Sequence, residues 1–257
     1  MTTQPFSLAR RLRAGETVHC GWATLGLPML AEMLAREGFP TVSCDNQHGL
    51  FNVQSTLEGI AAIRAAGAAP MVRVPLGDFA MVSRALDFGA EGIIAPMINT
   101  PEDARAFAAA AKFPPVGERS WGPARAMMLN GLSMNDYLKQ ANDETVTFAM
   151  IETRTALANL DAILATPGID GVFIGPSDLS ITLSNGQSLD PFSKDVDAVC
   201  EKVAKAAKNA GKIAGAYTAN AERANFHAGL GFRFLAVGSD AGFFRGGTLA
   251  AMKDLKR

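Results

Sequence analysis

The segment GVFIGPSDLS, residues 171–180, contains the pattern that decides the fold. Three consecutive apolar side chains stand between Gly171 and Gly175, which is typical of a short buried strand. A turn at Gly175-Pro176 ends this strand and is closely followed by Asp178. Asp178 is therefore a carboxylate at the mouth of a strand that otherwise belongs to the core.

Short apolar strands of this kind recur along the chain and alternate with helical patterns. Eight such strands within 257 residues predict an α/β fold of the (β/α)8 TIM barrel type. A doubly wound open sheet is the alternative, but no G-x-G-x-x-G or G-x-x-x-x-G-K-[ST] motif follows any strand. No change of composition suggests a linker, so residues 1–257 are expected to form one barrel domain. The predicted strands are residues 18–23, 41–45, 71–75, 92–96, 146–152, 171–175, 213–217 and 234–238.

Cap residues and loop composition divide the chain between these strands. Thr100 is followed by a proline and two acidic residues and predicts the start of a helix, whereas Gly211 predicts the end of a later helix. Two intervals, residues 113–131 and 176–193, are long and irregular in composition. Because long loops in a compact domain are more often functional than idle, both are expected to serve function.

The composition excludes several classes of function. Apolar residues make up 48% of the chain and charged residues 19%, which permits a large core and argues against disorder. The 24 basic and 25 acidic residues give a net charge of −1, so neither nucleic acid nor an anionic membrane is an expected partner. Three scattered cysteines, with neither a C-x-x-C pair nor a secretory signal, indicate reduced thiols and a cytoplasmic location.

Five unusual polar residues fall at or just after the carboxyl ends of the predicted strands. In a barrel these ends converge on the face that carries the active site. The fifth and sixth strands are consecutive, so the carboxylates that follow them are expected to meet. The five residues, in strand order, are Asp45, His48, Arg73, Glu152 and Asp178.

For each of these residues the alternative to a functional role is a purely structural one, because a charged residue at a strand end is commonly just solvated. His19 and His227 are interpreted in that way, as satisfied polar residues without a catalytic role. Arg73 differs, because Val72 and Val74 flank it in an apolar strand and a buried guanidinium requires an anionic partner. The joint pattern therefore favours a functional site.

The same residues suggest a division of chemical roles. Glu152 and Asp178 offer oxygen ligands that suit a hard divalent cation such as Mg²⁺ or Mn²⁺. A chelating 2-oxo acid would then be polarised toward an enolate, and Arg73 would add positive charge at the developing oxyanion. His48, oriented by Asp45, is the candidate base.

The backbone after the sixth strand is the expected binding site for the carboxylate of the substrate. Its amides begin a predicted helix, and the N–H groups at a helix start bind anions. The stretch assigned to substrate binding consists of Gly175, Pro176, Ser177, Asp178 and Leu179.

Several long motifs, in the same order, resemble those of the HpcH/HpaI aldolase/citrate lyase family, and specifically its class II pyruvate-dependent aldolases. The resemblance extends from about GWATLG at 21–26 to VGSDAGFF at 237–244, which is most of the chain. Its specific parts are DNQHG, VRVP, GAEGIIAPMINTPEDA, PPVGERSWGPARA, MIET and GIDGVFIGPSDLS.

The resemblance implies a barrel of the phosphoenolpyruvate/pyruvate type that forms a hexamer with C-terminal helices exchanged between subunits. It implies a divalent metal, Mg²⁺, Mn²⁺ or Co²⁺, bound by Glu152 and Asp178. It also implies that Arg73 stabilises the pyruvate enolate and that His48 and Asp45 form the family's histidine–aspartate dyad. The implied reaction is the reversible aldol cleavage of a 4-hydroxy-2-oxo acid into pyruvate and an aldehyde.

One departure from the family pattern concerns the residue beside the candidate base. Many members have D-x-E-H where this chain has DNQH at 45–48, so Gln47 removes a negative charge. This change is expected to affect aldehyde preference rather than the class of reaction. Trp22 and the loop from Arg119 to Trp121 are expected on the aldehyde side of the site.

Two other functions are alternatives to the aldolase reaction. An acyl-CoA lyase of the citryl or malyl type would use the same metal and arginine on a thioester, but it should offer basic residues for the phosphates of CoA. A non-catalytic oxo-acid binding protein would have no need of a base beside the metal ligands. Pyruvate and an aldehyde therefore remain the expected small-molecule partners, with a homo-oligomer implied by the resemblance.

Overall fold

The eight predicted strands close into one parallel barrel in which each strand pairs with the next along the chain and the last pairs with the first. The structure is a computed structural model and describes residues 7–253 and Leu255. The predicted (β/α)8 barrel is confirmed. The strands are β1 (Val18–Ala23), β2 (Thr41–Asp45), β3 (Ala69–Arg73), β4 (Gly92–Ala95), β5 (Val146–Ile151), β6 (Gly171–Ile174), β7 (Ile213–Thr218) and β8 (Phe234–Val237).

Helices surround the barrel and begin at residues that satisfy free backbone groups. The side chain of Thr100 accepts a hydrogen bond from the amide of Asp103, as the sequence predicts for a helix start. Within the described residues, no helix is long and apolar enough to cross a membrane. The helices are α1 (Leu8–Arg13), α2 (Pro28–Arg36), α3 (Val53–Ala65), α4 (Phe79–Phe88), α5 (Pro101–Ala111), α6 (Ala124–Asn130), α7 (Met134–Glu144), α8 (Arg154–Ala158), α9 (Leu160–Leu164), α10 (Pro176–Leu183), α11 (Lys194–Asn209), α12 (Ala221–Leu230) and α13 (Asp240–Met252).

Strand β3 is the one whose position differs most from the sequence prediction. It begins at Ala69, two residues earlier than predicted, and ends at Arg73 instead of Pro75. Its register explains the shift, because Ala69 pairs with Thr41 at the start of β2 and Arg73 pairs with Asp45 at its end. Arg73 and Asp45 therefore stand side by side at the carboxyl ends of neighbouring strands.

Alternating side chains divide the core into a layer inside the barrel and a layer between the strands and helices. Aromatic rings fill the inside of the barrel, where Phe148 stacks on Phe234 at 4.9 Å between ring centroids. Phe173 packs edge-on against Phe148 at 6.3 Å and carries Trp22 above it at 5.9 Å. This packed layer is a rigid floor for whatever lies at the carboxyl ends of the strands.

The two long intervals contain helices, so the expectation of irregular loops is only partly correct. Residues 176–193 begin directly with α10, because Pro176 is well placed at the first helical position. Residues 113–131 include α6 and follow α5. A helix after a strand runs back toward the amino-terminal end of the barrel, so this second segment lies at the end opposite the strand tips.

The loop from Arg119 to Trp121 therefore does not line the aldehyde side of the site within this chain. Arg119 is buried and donates to Asp87 of α4 at 2.6 Å. Trp121 packs against Phe113 at 5.5 Å and against Tyr137 of α7 at 6.2 Å. The aromatic ring of Trp121, which suggested a substrate contact, packs instead in a small aromatic cluster at the amino-terminal end of the barrel.

A buried ion pair at that same end generates a prediction about stability. Glu91 is fully buried, pairs with Arg64 and accepts the amides of Ser7 and Leu8 at 2.8 and 2.9 Å. We expect Glu91→Gln to lower the free energy of unfolding by roughly 3–5 kcal/mol, because it leaves a buried guanidinium uncompensated. Urea denaturation measures the change.

The matched control is Glu102→Gln, which removes an exposed partner of Arg105 on α5. Exposed pairs contribute about 0–1 kcal/mol, so this variant should behave as the wild type. Equal destabilisation by the two substitutions would contradict the role assigned to Glu91.

Candidate active site

A pocket of about 250 Å³ opens at the carboxyl ends of the strands and brings together all five polar residues singled out in the sequence. They come from different strand ends and converge because the barrel closes. Trp22, Gly175, Pro176 and Ser177 also line this pocket. The five residues are Asp45, His48, Arg73, Glu152 and Asp178.

A larger groove of about 950 Å³ lies at the amino-terminal end of the barrel, next to residues such as Asp170, Lys208 and Ile213. Its charged side chains are spread along helix ends and loops. The smaller pocket instead combines two carboxylates, an arginine and a histidine above a packed aromatic floor. Its chemistry, rather than its size, makes it the candidate active site.

The carboxylate of Asp45 and the guanidinium of Arg73 form a two-bond ion pair in the pocket. Arg73 Nε lies 2.9 Å from Asp45 Oδ1, and Nη2 lies 2.7 Å from Oδ2. Burial alone would raise the pKa of Asp45, but the bonds from Arg73 and from the amides of Gln47 and His48 hold it below its ordinary value. Arg73 thus has the anionic partner that its apolar strand requires, and its Nη1 makes no hydrogen bond with any residue in the described part of the chain.

Trp22 supports this ion pair from below. Its side chain is only 3% exposed, and the guanidinium carbon of Arg73 stands 5.0 Å from the centre of its ring. Its indole Nε1 donates to Asp45 Oδ2 at 3.4 Å. Trp22 lines the pocket as expected, and these contacts show that it also fixes the position of Arg73.

His48 is exposed in the pocket, and its contact with Asp45 differs from the expected dyad. Asp45 Oδ1 accepts the backbone N–H of His48 at 3.3 Å and that of Gln47 at 3.0 Å. The imidazole of His48 makes no hydrogen bond to another residue of the described chain. Asp45 therefore orients the loop that carries His48, while its carboxylate oxygens are taken up by Arg73 and Trp22.

Glu152 follows β5 directly and is 2% exposed. Its Oε2 accepts the amide of Met97 at 3.1 Å, and Met97 adopts a φ of 55°, which is uncommon for a residue other than glycine. Burial raises the pKa of Glu152 to about 7, the Met97 amide opposes the shift, and the facing Asp178 carboxyl adds to it. The two carboxylates therefore face each other in a setting that disfavours two negative charges.

Gly175 makes this close approach possible. A Cβ atom at Gly175 would lie 2.2 Å from Glu152 Oε1, so any side chain there would displace the carboxylate. Asp178 stands in the first turn of α10. In the described part of the chain, no cluster of three or more His, Cys, Asp or Glu side chains could hold a metal ion. Two facing carboxylates still fit a hard cation, because Mg²⁺ is commonly held by one or two carboxylates with water and substrate oxygens.

The start of α10 offers backbone donors to the pocket, though fewer than predicted. Ser177 and Asp178 are exposed, and their amides are the first N–H groups of the helix, because Pro176 has none. The prediction that Leu179 binds substrate is wrong. Its amide donates to Gly175 O at 3.1 Å, and its side chain is fully buried in the outer core layer. We therefore leave Leu179 out of the substrate-binding set.

Several residues of the pocket were missed by the sequence reasoning. Tyr217 lies near the carboxyl end of β7 and packs edge-on against Trp22 at 5.7 Å. Thr24 and Ser239 come just after β1 and β8, so the same rule of strand ends applies to them. Their side chains are uncharged, so no sequence signal separates them from other neutral residues at strand ends. The further members are Met150 and Phe173.

The raised pKa of Glu152 generates a prediction about the metal-free protein. Its pKa lies near 7 in the native state and at its ordinary 4.5 in the unfolded chain, so stability is lost as the pH rises between these values. After treatment with chelator, Glu152→Gln should exceed the wild type in free energy of unfolding at pH 8 by on the order of 2–3 kcal/mol. The difference should nearly vanish at pH 5, as urea denaturation would measure.

Glu118→Gln is the control, because Glu118 is an exposed carboxylate outside the pocket. It should leave the stability unchanged at both pH values. A Glu152→Gln effect of the same size at pH 5 and pH 8 would show that the substitution acts through packing instead of charge.

Comparisons with known proteins identify the family of the chain. The sequence profile of the HpcH/HpaI aldolase/citrate lyase family matches residues 20–246. The chain is 39% identical over 219 residues to a hydroxypyruvate/pyruvate aldolase of Deinococcus radiodurans, covering 85% of this chain and 78% of that one. It is 38% identical to a 4-hydroxy-2-oxo-heptane-1,7-dioate aldolase of Salmonella dublin, covering 89% and 86% of the two chains.

A solved structure extends the likeness to the fold. The crystal structure of an HpcH/HpaI aldolase from Desulfitobacterium hafniense superposes with a TM-score of 0.89 at 30% identity, covering 98% of each chain. The profile and the relatives span most of the chain, and the residues that the profile matches include every residue of the pocket. The chain therefore belongs to the HpcH/HpaI aldolase/citrate lyase family and is a carbon–carbon lyase of the aldolase type.

Proposed function

We propose that this aldolase reversibly cleaves a 4-hydroxy-2-oxo acid into pyruvate and an aldehyde. The C3–C4 bond breaks, the C4 hydroxyl loses its proton and becomes the aldehyde carbonyl, and the bonding electrons form the enolate of pyruvate. One observation carries the proposal. Arg73, held by Asp45, leaves Nη1 available beside the facing carboxylates of Glu152 and Asp178.

Glu152 and Asp178 are the proposed ligands of a divalent cation, Mg²⁺, Mn²⁺ or Co²⁺. Positive charge between them would compensate the repulsion and burial that raise the pKa of Glu152 to about 7. When bound, the ion supplies Lewis-acid polarisation of the 2-oxo group. Gly175 keeps the space beside Glu152 clear for this arrangement.

Backbone and guanidinium donors hold the 2-oxo acid in the proposed complex. The amides of Ser177 and Asp178 bind its carboxylate, because both residues line the pocket and carry the first N–H groups of α10. Arg73 directs positive charge at the oxygen on which negative charge develops in the enolate. Asp45 and Trp22 fix the guanidinium, so little reorganisation accompanies the reaction.

His48 is the proposed base that takes the proton of the C4 hydroxyl. It is exposed to the pocket and has no competing hydrogen bond from the described residues. Asp45 holds its backbone through the amide bond of 3.3 Å. In the direction of synthesis, the same imidazole returns a proton to the new hydroxyl.

The proposal also includes the oligomeric state and the cellular location of the protein. Helix α13 has Asp240 as its buried residue, whereas Phe244 is 72% exposed and Leu249 57%. Such an apolar helix requires a partner surface, and we assign it to exchange between subunits of a homo-oligomer, a hexamer by resemblance. Three buried free thiols support the reducing cytoplasm as its location.

The test is proton exchange of pyruvate in D₂O, followed as loss of the methyl signal by NMR. Exchange should require Mg²⁺, Mn²⁺ or Co²⁺ and should be absent after treatment with chelator, because enolisation needs positive charge at the 2-oxo group. Folded protein that exchanges no protons with any of these metals would contradict the proposal. That outcome would favour the acyl-CoA lyase or a non-catalytic oxo-acid binding role.

Two variants, each with a matched control, test the roles of Glu152 and Arg73 in this exchange. Glu152→Ala and Arg73→Lys should each slow exchange by about 100-fold or more, since each removes charge stabilisation that lysine or alanine cannot supply in the same geometry. The matched controls are Glu102→Ala and Arg105→Lys, which alter an exposed pair on α5. Full exchange by Glu152→Ala would show that the ion is held elsewhere.

A further inference from the structure

Asp240, the first residue of α13, holds the loop that follows β1. Its side chain is buried, and its carboxylate accepts four hydrogen bonds. Oδ1 accepts the amide of Thr24 at 2.8 Å and its hydroxyl at 2.7 Å, and Oδ2 accepts the amide of Leu25 at 3.0 Å. The fourth bond comes from the amide of Ala241, in the same helix, at 2.8 Å. Three of the four donors thus belong to the loop after the first strand.

The start of α13 does not require this buried carboxylate. Ser239 is the cap residue of the helix, and its hydroxyl accepts the amide of Gly242 at 3.2 Å. A negative charge in the first turn would favour the helix from an exposed position as well. Burial of a carboxylate is costly unless hydrogen bonds offset it, and most of those bonds come from Thr24 and Leu25. The burial of Asp240 is therefore explained by the loop that it holds.

The loop after β1 is in turn bonded to the loop that carries His48. The carbonyl oxygen of Thr24 accepts the amide of Leu50, two residues beyond His48, at 2.7 Å. Gly49 lies between them and packs closely against both strand ends. A Cβ atom at Gly49 would lie 2.9 Å from Thr24 O and 2.3 Å from Asp45 O. The backbone around His48 is therefore fixed on both sides, by Asp45 before it and by Thr24 after it.

This chain of bonds runs along the wall of the candidate active site, because Thr24, Ser239 and His48 all line the pocket. Among the described residues the imidazole of His48 has no hydrogen-bond partner, so its position depends on the backbone bonds of its loop. A base must lie within hydrogen-bond reach of the proton that it takes. A displacement of about 1 Å can lower the rate by about 100-fold, so a small movement of the loop after β1 would affect the reaction.

We infer that Asp240 is a positioning residue that fixes His48 through the loop after β1. The inference rests on the proposed aldol reaction, in which His48 takes the proton of the C4 hydroxyl and returns it in the direction of synthesis. Asp45 holds the beginning of the loop that carries this base, and Asp240 holds its end. Asp240 is not among the residues that line the pocket. Its effect is therefore on the rate of proton transfer instead of on the binding of pyruvate.

The test is a double-mutant cycle on the aldol addition of pyruvate to an aldehyde, assayed with Mn²⁺. The aldehyde is the one of acetaldehyde, propanal and glycolaldehyde that the wild type accepts best. Asp240→Asn leaves one acceptor oxygen instead of two and should lower kcat by about tenfold. The KM for pyruvate should change by less than about twofold, since binding is unaffected. In His48→Ala protein, which should itself lose about 100-fold or more, the same substitution should lower kcat by less than about twofold.

A second variant keeps the test decisive if Asp240→Asn fails to fold. Thr24→Val removes the hydroxyl bond to Asp240 and retains the backbone bonds. It should lower kcat by about fivefold, the contribution of one hydrogen bond, and again only in protein that has His48. The matched control is Asp195→Asn, because Asp195 is an exposed carboxylate in the first turn of α11. This control should change neither kcat nor KM.

Three results would overturn the inference. Equal fold losses with and without His48 would show that Asp240 acts on folding or on the pocket as a whole, as an anchor for α13 alone would. Unchanged kcat in both Asp240→Asn and Thr24→Val would show that the loop does not need this carboxylate. Wild-type kcat in His48→Ala protein would remove the base through which Asp240 is inferred to act.

The wild-type protein separates these outcomes from failure of the proposed function. Wild-type protein that exchanges no protons of pyruvate with any of the metals, or that adds none of the three aldehydes, would contradict the proposed reaction. Wild-type protein that exchanges and adds an aldehyde, with a loss in Asp240→Asn that is independent of His48, would refute the positioning role alone.

Discussion

The buried ion pair of Asp45 and Arg73 joins two neighbouring strands at the end of the barrel where the pocket opens. An uncompensated guanidinium in this apolar strand would cost several kcal/mol, so the pairing stabilises the fold as well as serving the proposed function. The same carboxylate accepts the amides of Gln47 and His48. One side chain thus fixes both the proposed oxyanion donor and the loop that carries the proposed base, on a floor provided by Trp22.

On the opposite side of the pocket, the charge that is costly to bury is negative instead of positive. Glu152 is buried facing Asp178, and its pKa stays near 7 although the charge of Arg73 acts to lower it. The fold tolerates this arrangement because Met97 donates its amide and Gly175 leaves room that no other residue would. The divalent cation that we propose would offset this repulsion, and its affinity would then depend on pH.

The sequence was sufficient for the barrel and for the five polar residues of the pocket, because both follow from local patterns and from the rule of strand ends. The partner of Arg73 required the register of β2 and β3, which no local pattern encodes. Leu179 was misassigned because helix amides look alike until the first intrahelical bonds are known. The interpretation of His227 as a satisfied polar residue is wrong for its Nε2, which has no hydrogen-bond partner among the described residues, and this depends on tertiary packing.

The most direct test of the proposed centre is a crystal structure with Mn²⁺ and pyruvate, in which anomalous scattering locates the metal. We expect one manganese peak at coordination distance, about 2.1 Å, from carboxylate oxygens of both Glu152 and Asp178. Pyruvate oxygens and water should fill the remaining coordination positions, with Arg73 Nη1 hydrogen-bonded to the carbonyl oxygen and the amides of Ser177 and Asp178 on the carboxylate. Pyruvate bound in the pocket with manganese absent from this position, or located elsewhere, would contradict the metal-dependent mechanism.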